Sequence, residues 1–385
     1  MSPVHKVVEI EQLLAAAITA DNVDWPSSWG SRQAIGTILE AIDYHGMAGL
    51  LWERSGVLQG WPTWLSEHIR NAALAQSMWE LRHHSVVSEL LDRFGSRSIR
   101  ALLLKGTALA YDLYRNPAVR RRADSDILVP EAEIRSARDE LRAAGFWRDS
   151  EAETLPEELR AQESWIFEAS DGSTHTVDLH WQVLNAPALF DAFDVEKLWE
   201  TRRSVPRLGK AAFAPSLPVM LAHACVHRGF NACSPYFVAS RTYFGGDRLI
   251  WLYDIALLGR AMSRQEWAAF VDFVTDKKLS AVCLEGVESA EDSFGTPCPA
   301  DIRTALRSGP SSAYLRSGQL GRAAMDFWAV RGLGRKARYA LARLLPPGEF
   351  IRAKYADTRS RPLAMLYLRR MTEVMRPRPP RTFGG

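Results

Sequence analysis

Leu103-Leu104-Lys105-Gly106-Thr107 and, further along, Asp124-Ser125-Asp126-Ile127-Leu128-Val129 decide how this chain is read. The apolar run Ile99 to Leu104 has the length of a strand and stops at the Lys-Gly-Thr turn. Leu109, Leu113 and Tyr114 then follow at helical spacing. After Pro117 and the basic run Arg120-Arg121-Arg122, Asp124 to Val129 reads as a second strand, closed by Pro130. Glu131 to Ala144 is an amphipathic helix stopped by Gly145. Ser164 to Glu168 is a further strand, Ser170-Asp171-Gly172 a turn, and His175 to Trp181 alternates as its partner. Strand, helix, strand, helix and hairpin predict an α+β fold, with a mixed sheet over residues 96–205.

Asp124 and Asp126 alternate along their strand, so both carboxylates leave one face, about 6–7 Å apart at the α-carbons. Carboxylates so placed converge on two divalent cations about 3.5–4 Å apart. Hard cations that prefer carboxylate and water oxygens are Mg2+ or Mn2+. A third carboxylate from a neighbouring strand completes such a site. Asp178, in Val177-Asp178-Leu179-His180-Trp181, is the best placed, because its apolar neighbours face inward while it shares a face with His180. A D-x-D pair alone equally describes a solvated strand end. The unit ahead of it adds weight: Gly106 lets the backbone approach a phosphate, and the helix N-terminus offers unpaired N–H groups. Thr107 can cap that helix or bind phosphate, and Lys105 supplies a point charge for a triphosphate. The three arginines at 120–122 fit either a phosphate clamp or a solvated loop.

These segments resemble the uncharacterised bacterial nucleotidyltransferase family of the polymerase-beta superfamily, in its lysine–glycine turn, an arginine four residues before the first aspartate, and its D-x-D strand. Tyr44-His45-Gly46 to Leu50-Leu51 looks like that family's N-terminal helical region. Asp178-Leu179-His180-Trp181 looks like its third-aspartate segment, and Leu221 to His227 with Arg248-Leu249-Ile250-Trp251 to Asp254 like its C-terminal helical signature. Two positions depart from the pattern: Ala123 stands where glycine is usual, and Ser125 where an apolar residue is usual. The resemblance implies a polymerase-beta-type core, Mg2+ or Mn2+, and a nucleoside triphosphate as co-substrate. It singles out Arg120 among the three arginines, and Arg248 and Asp254 as cleft residues or a buried pair bracing the helices. It also implies transfer of a nucleoside monophosphate to an acceptor hydroxyl with release of pyrophosphate. Members near genes for lasso-type peptides favour a peptide or small-molecule acceptor, whereas superfamily toxins that modify transfer RNA ends favour RNA. An idle nucleotide-binding protein and a phosphoryl transferase are the rival classes.

Outward from the core, Ile10 to Ile18, Ile35 to Leu51 and Glu67 to Phe94 carry helical periodicity, the last with Leu81, Val86, Leu90 and Leu91 on one stripe. Helices return over Pro218 to Phe230, Arg248 to Arg260 and on to about Leu345. The expected organisation is a helical region at 1–95, the core at 96–205, a second helical region at 206–345, and a basic segment at 346–385 whose tail from Met375 is disordered. His223 and His227 stand four apart on one helix face, a spacing that suits a metal, a substrate contact or a core position. His180 reads as the residue orienting Asp178 or as a satisfied sheet histidine. The tryptophans, Trp181 and Trp251 among them, read as core. With no CxxC pair among Cys225, Cys233, Cys283 and Cys298, no signal-like start and no run near the roughly 18 apolar residues of a membrane span, the expectation is a cytoplasmic protein with free thiols. Residues 301–385 hold 18 basic against 5 acidic residues, leaving 30 of the 48 basic and 40 of the 45 acidic residues to the rest. Such a segment fits a polyanionic partner, or arginines packed on the acidic body.

Overall fold

The computed structural model describes residues 3–29, 32–149, 155–232, 235–238, 241–244, 246–355 and 362–375. Five segments form one sheet: Leu102–Leu104 (β1), Asp124–Leu128 (β2), Trp147–Asp149 (β3), Gln162–Glu168 (β4) and Thr174–His180 (β5), in the order β1-β2-β5-β4-β3. β2 and β5 run parallel and the other neighbours antiparallel, so the sheet is mixed. Because side chains alternate between faces, the register sorts the residues. Leu103, Ile127, Leu179, Val177 and Trp165 share one face and enter the main hydrophobic core. Leu104, Asp126, Asp178 and Ser164 lie side by side on the other.

Helices flank the sheet in sequence on both sides. Arg32–His45, Ala48–Glu53 and Thr63–Ser96 precede it, and Leu217–Ala232, Leu249–Ala261, Arg264–Asp276, Ser280–Phe294 and Ala300–Ser308 follow. The fold is α+β with helical flanks, as the periodicity predicts. Gly49 shows how closely the N-terminal helices sit on the core. A β-carbon there would lie 2.6 Å from the α-carbon of Val119, so only glycine fits.

Several local expectations change. The single helix expected over Ile35 to Leu51 is two, broken at Gly46, whose φ of +70° is left-handed. On Thr63–Ser96 the buried stripe is Glu80, His83, Val87, Leu90, Leu91 and Phe94, while Leu81 is exposed. The stripe is displaced because two of its members are polar and hydrogen-bonded in the core, where hydrophobic periodicity does not register them. β3 and the hairpin Pro235–Val238 with Arg241–Phe244 carried no recognisable signal. The basic segment is helical at Gly348–Lys354 and Leu363–Met375, and its expected disordered tail lies outside the described residues beyond Met375. Cys225, Cys283 and Cys298 are free and buried, and Cys233 is outside the described residues. Among the described residues no helix is long and apolar enough to cross a membrane.

Candidate metal centre and the adjoining cleft

β1 ends where Leu104 is extended and Lys105 turns left-handed, with φ +47°, into the helix Lys105–Asp112. A non-glycine residue in that region is held there by its surroundings. Lys105 Nζ donates to Asp126 Oδ1 at 2.5 Å, which ties the turn to the neighbouring strand. His180 Nε2 meets the same oxygen at 2.9 Å from β5. Burial opposes charge on Asp126, but Lys105 and His180 outweigh it and hold its carboxyl far below the ordinary carboxylate range. Beside it Asp178 accepts from Ser164 Oγ at 2.6 Å and from Gln162 Nε2 at 3.0 Å, both from β4. Asn185 in turn donates to Gln162 at 2.6 Å.

Asp126, Asp178 and His180 can each present one ligand atom within 4.8 Å of the others, a spacing that suits one cation. Asp124, expected among the ligands, shares the face of Asp126 two residues along but stands outside that three-residue cluster. Burial and the charges of Asp126 and Asp178 push its carboxyl up to about 7, against the pull of Lys105 and Arg120. Asp178 is raised by burial and by Asp126. Lys105 is half-buried, and against the desolvation that lowers it its ammonium is held above its ordinary value by Asp126, Asp124 and Asp178. Three carboxylates thus face a single lysine. Their oxygens, with one imidazole whose buried Nδ1 has no hydrogen-bond partner, are a donor set that fits a divalent cation.

The residues expected on the phosphates divide. Gly106 is where the backbone must be approached, but from below by protein: a β-carbon there would sit 3.2 Å from Arg120 Cζ. Arg120 is buried and bidentate on Asp254, through Nε at 3.2 Å and Nη2 at 2.6 Å, while Nη1 donates to the Arg121 carbonyl. Tyr114 OH adds a 2.6 Å bond to Asp254. Asp254 therefore pairs with Arg120, and not with Arg248, which donates to the Tyr44 carbonyl and lies over the rings of Tyr44 and Trp251. Thr107 is buried, its hydroxyl 2.7 Å from Ser125 Oγ, so it faces the back of β2 and leaves only main chain towards the centre. Ser125 also meets His83 Nε2 at 2.7 Å, which explains a polar residue between the two aspartates. Arg121 pairs with Asp43, and Arg122 with buried Glu80, which also takes the Tyr111 hydroxyl.

A narrow cleft, partly open to solvent, lies between Lys105 and the helices Leu217–Ala232 and Leu249–Ala261. Lys105, Arg120 and Asp254 line one part of it. Val183, Leu198, Val219 and Met220 make an apolar remainder, with His223, His227 and Trp251 among them. Burial and the Lys105 charge keep both histidines neutral, His223 lowered to about 3. His223 packs edge-on against Phe193 and His227 against Trp251, so the pair forms no metal site with each other among the described residues. Sequence reasoning missed Ser164 and Gln162, which bind Asp178, and the His83–Ser125 contact. The only signal for Ser164 and Gln162 was their alternation on a strand facing β5.

The α+β core thus carries two aspartates on one strand and a third on the strand beside it. Residues 31–295 match the family described as "uncharacterised nucleotidyltransferase", and the chain belongs to that family. No curated protein matches the chain.

Proposed function

We propose that this protein moves a nucleoside monophosphate from a nucleoside triphosphate to an acceptor hydroxyl, releasing pyrophosphate. The observation that carries the reading is the meeting of Asp124, Asp126 and Asp178 on one sheet face beside the Lys105 helix N-terminus. Asp126, Asp178 and Asp124, with His180, would hold divalent cations, Mg2+ or Mn2+. Bound there, such cations neutralise phosphate charge and acidify the attacking hydroxyl. Lys105 serves the triphosphate: when the phosphates arrive, its ammonium can move from Asp126 to them. The main-chain N–H groups of Gly106 and Thr107 lie at the start of the same helix, where anions are favoured. Asp178, its carboxyl raised, takes the proton as the acceptor oxygen bonds to the α-phosphorus and the bond to the β-phosphate oxygen breaks. Ser164 and Gln162 fix the direction of its lone pairs. Arg120 supports this work from beneath Gly106.

A small-molecule or peptide acceptor is favoured over RNA because arginines of the basic C-terminal stretch are engaged on the protein. Arg303 pairs with Glu291, Arg307 with Glu288 and Arg338 with Glu158, while Arg322 donates to the Tyr314 carbonyl. The test incubates the protein with each labelled nucleoside triphosphate and Mg2+ or Mn2+, following pyrophosphate and a nucleotidyl adduct by mass. Pyrophosphate from the wild type, absent with Asp126→Asn, supports the reading. Nucleoside diphosphate as product would replace it with phosphoryl transfer, and failure to bind any nucleotide would remove it.

A further inference from the structure

A residue lining the cleft beside Lys105 carries a buried polar atom with no hydrogen-bond partner among the described residues. His223 is 5% exposed, and its Nε2 is buried without a hydrogen-bond partner. A buried polar atom left unpaired asks for a partner, and among the described residues that line the cleft His223 is the one that carries such an atom. His223 lines the cleft together with Met220, Trp251 and Lys105, and Lys105 is bonded to Asp126 of the carboxylate centre. Its neutral imidazole can donate or accept a single hydrogen bond.

We propose that this cleft seats the nucleobase of the nucleoside triphosphate, and that His223 Nε2 reads the base's polar edge. The inference rests on the nucleotidyl-transfer reading and assigns its base subsite and a specificity residue. Lys105 both bonds to Asp126 and lines the cleft, so a ligand with its phosphates at Lys105 has the cleft directly beside it. The alternative occupant is the acceptor. A peptide or polyol would bring several main-chain amides or hydroxyls that each need a partner once desolvated. Leu104, Leu198, Val219 and Met220 offer none, Arg120 and Asp254 are engaged with each other, and His227 adds a single imidazole packed on Trp251. A nucleobase has two apolar faces and one hydrogen-bonding edge, which is the pattern these walls present. A site built to hydrogen-bond one edge discriminates against ligands that leave its buried group unpaired.

The experiment measures binding of pyrophosphate and of the adenosine, guanosine, cytidine and uridine diphosphates by calorimetry, without turnover. It compares the wild-type protein with His223→Leu and Met220→Trp. The wild type should prefer one base. His223→Leu should bind pyrophosphate normally and lose about 3- to 10-fold for the preferred diphosphate, the size of one neutral hydrogen bond. It should also flatten the ranking of bases while its melting temperature stays close to the wild type's, because Nε2 makes no hydrogen bond among the described residues and leucine keeps an apolar contact with Phe193. Met220→Trp, which fills the cleft, should weaken all four diphosphates and spare pyrophosphate. If His223→Leu and Met220→Trp both bind the diphosphates as the wild type does, the base lies elsewhere and the inference is overturned, with the transfer reading intact. Should the wild type bind neither pyrophosphate nor any nucleotide, both fail together.

Discussion

Removing the carboxylate of Asp254 would leave a buried guanidinium without its principal partner. Arg120 gives Asp254 two hydrogen bonds, Tyr114 gives a third, and the two charged side chains are only 8% and 4% exposed. Solvent screening is therefore slight. Breaking such a pair from one side destabilises by about 3–5 kcal/mol, because the remaining charge stays buried and unpaired. Arg120→Met and Asp254→Leu should each show a loss of that order, read from urea midpoints at constant slope. The double variant should lose about 1–3 kcal/mol less than the two together, since removing both charges relieves the penalty that either leaves alone. The pair also links β2's approach to the helix Leu249–Ala261 and presses its guanidinium against Gly106. Loss of stability should thus come with weaker nucleotide binding, in both single variants alike. If Arg120→Met changes stability by less than about 0.5 kcal/mol and yet abolishes nucleotide binding while Asp254→Leu does not, Arg120 is a phosphate ligand. The bracing argument is then wrong.

Two further outcomes follow from the same geometry. Asp124 has a folded pKa raised to about 7 above its ordinary 3.8, so it stabilises the metal-free fold below about pH 4, and that contribution is lost as pH rises through 7. Melting temperature in a chelator should therefore fall between pH 5 and 8, while Mn2+ affinity rises over the same range as the proton leaves; a metal affinity flat with pH would refute the assignment. Gly106→Ala sets helix propensity, worth up to about 1 kcal/mol in its favour, against the 3.2 Å approach of a pinned Arg120, where overpacking costs about 1–3 kcal/mol. It should be neutral to destabilising, whereas Gly36→Ala, in a helix with nothing within 4 Å, should stabilise by about 0.5–1 kcal/mol; a stabilised Gly106→Ala in the same denaturation series would show that Arg120 does not press there.

What the sequence made legible was what period-two and period-3.6 patterns encode. β2 and β5 alternate strongly enough that Asp124, Asp126, Asp178 and His180 could be placed on one face before any coordinates. The Lys105 turn was legible because lysine and glycine interrupt an apolar run. Less legible were the residues that answer these groups from a distance. Asp254 stands 134 positions from Arg120, and no local pattern says which acid an arginine will meet. Glu80 and His83 were hidden for a different reason: a polar residue bonded inside the core leaves the same trace in sequence as one in water. Thr107 reads equally well as a phosphate ligand or as a bond to Ser125, and only the packing of His83 behind β2 decides.

The centre is best understood as an unfinished balance of charge. Lys105 brings one positive charge to three carboxylates, and settles on Asp126, where His180 already stands. The remaining two are left with raised pKa values, since burial and mutual repulsion disfavour a second and third anion. A fold could relieve this by substituting an amide for an aspartate, or by setting an arginine against each acid as it sets Arg122 against Glu80. Instead the carboxylates are kept and aimed: Ser164 and Gln162 bind Asp178, and the parallel pairing of β2 and β5 sets Asp126 directly opposite it. Carboxylates perturbed by burial and by one another in a fixed geometry mark a candidate functional site. Divalent cations would bring positive charge to the carboxylates and allow the lysine to transfer to an incoming phosphate. On the proposed reading, the same repulsion that raises Asp124 and Asp178 in the metal-free protein would favour a metal-bound triphosphate over either component alone.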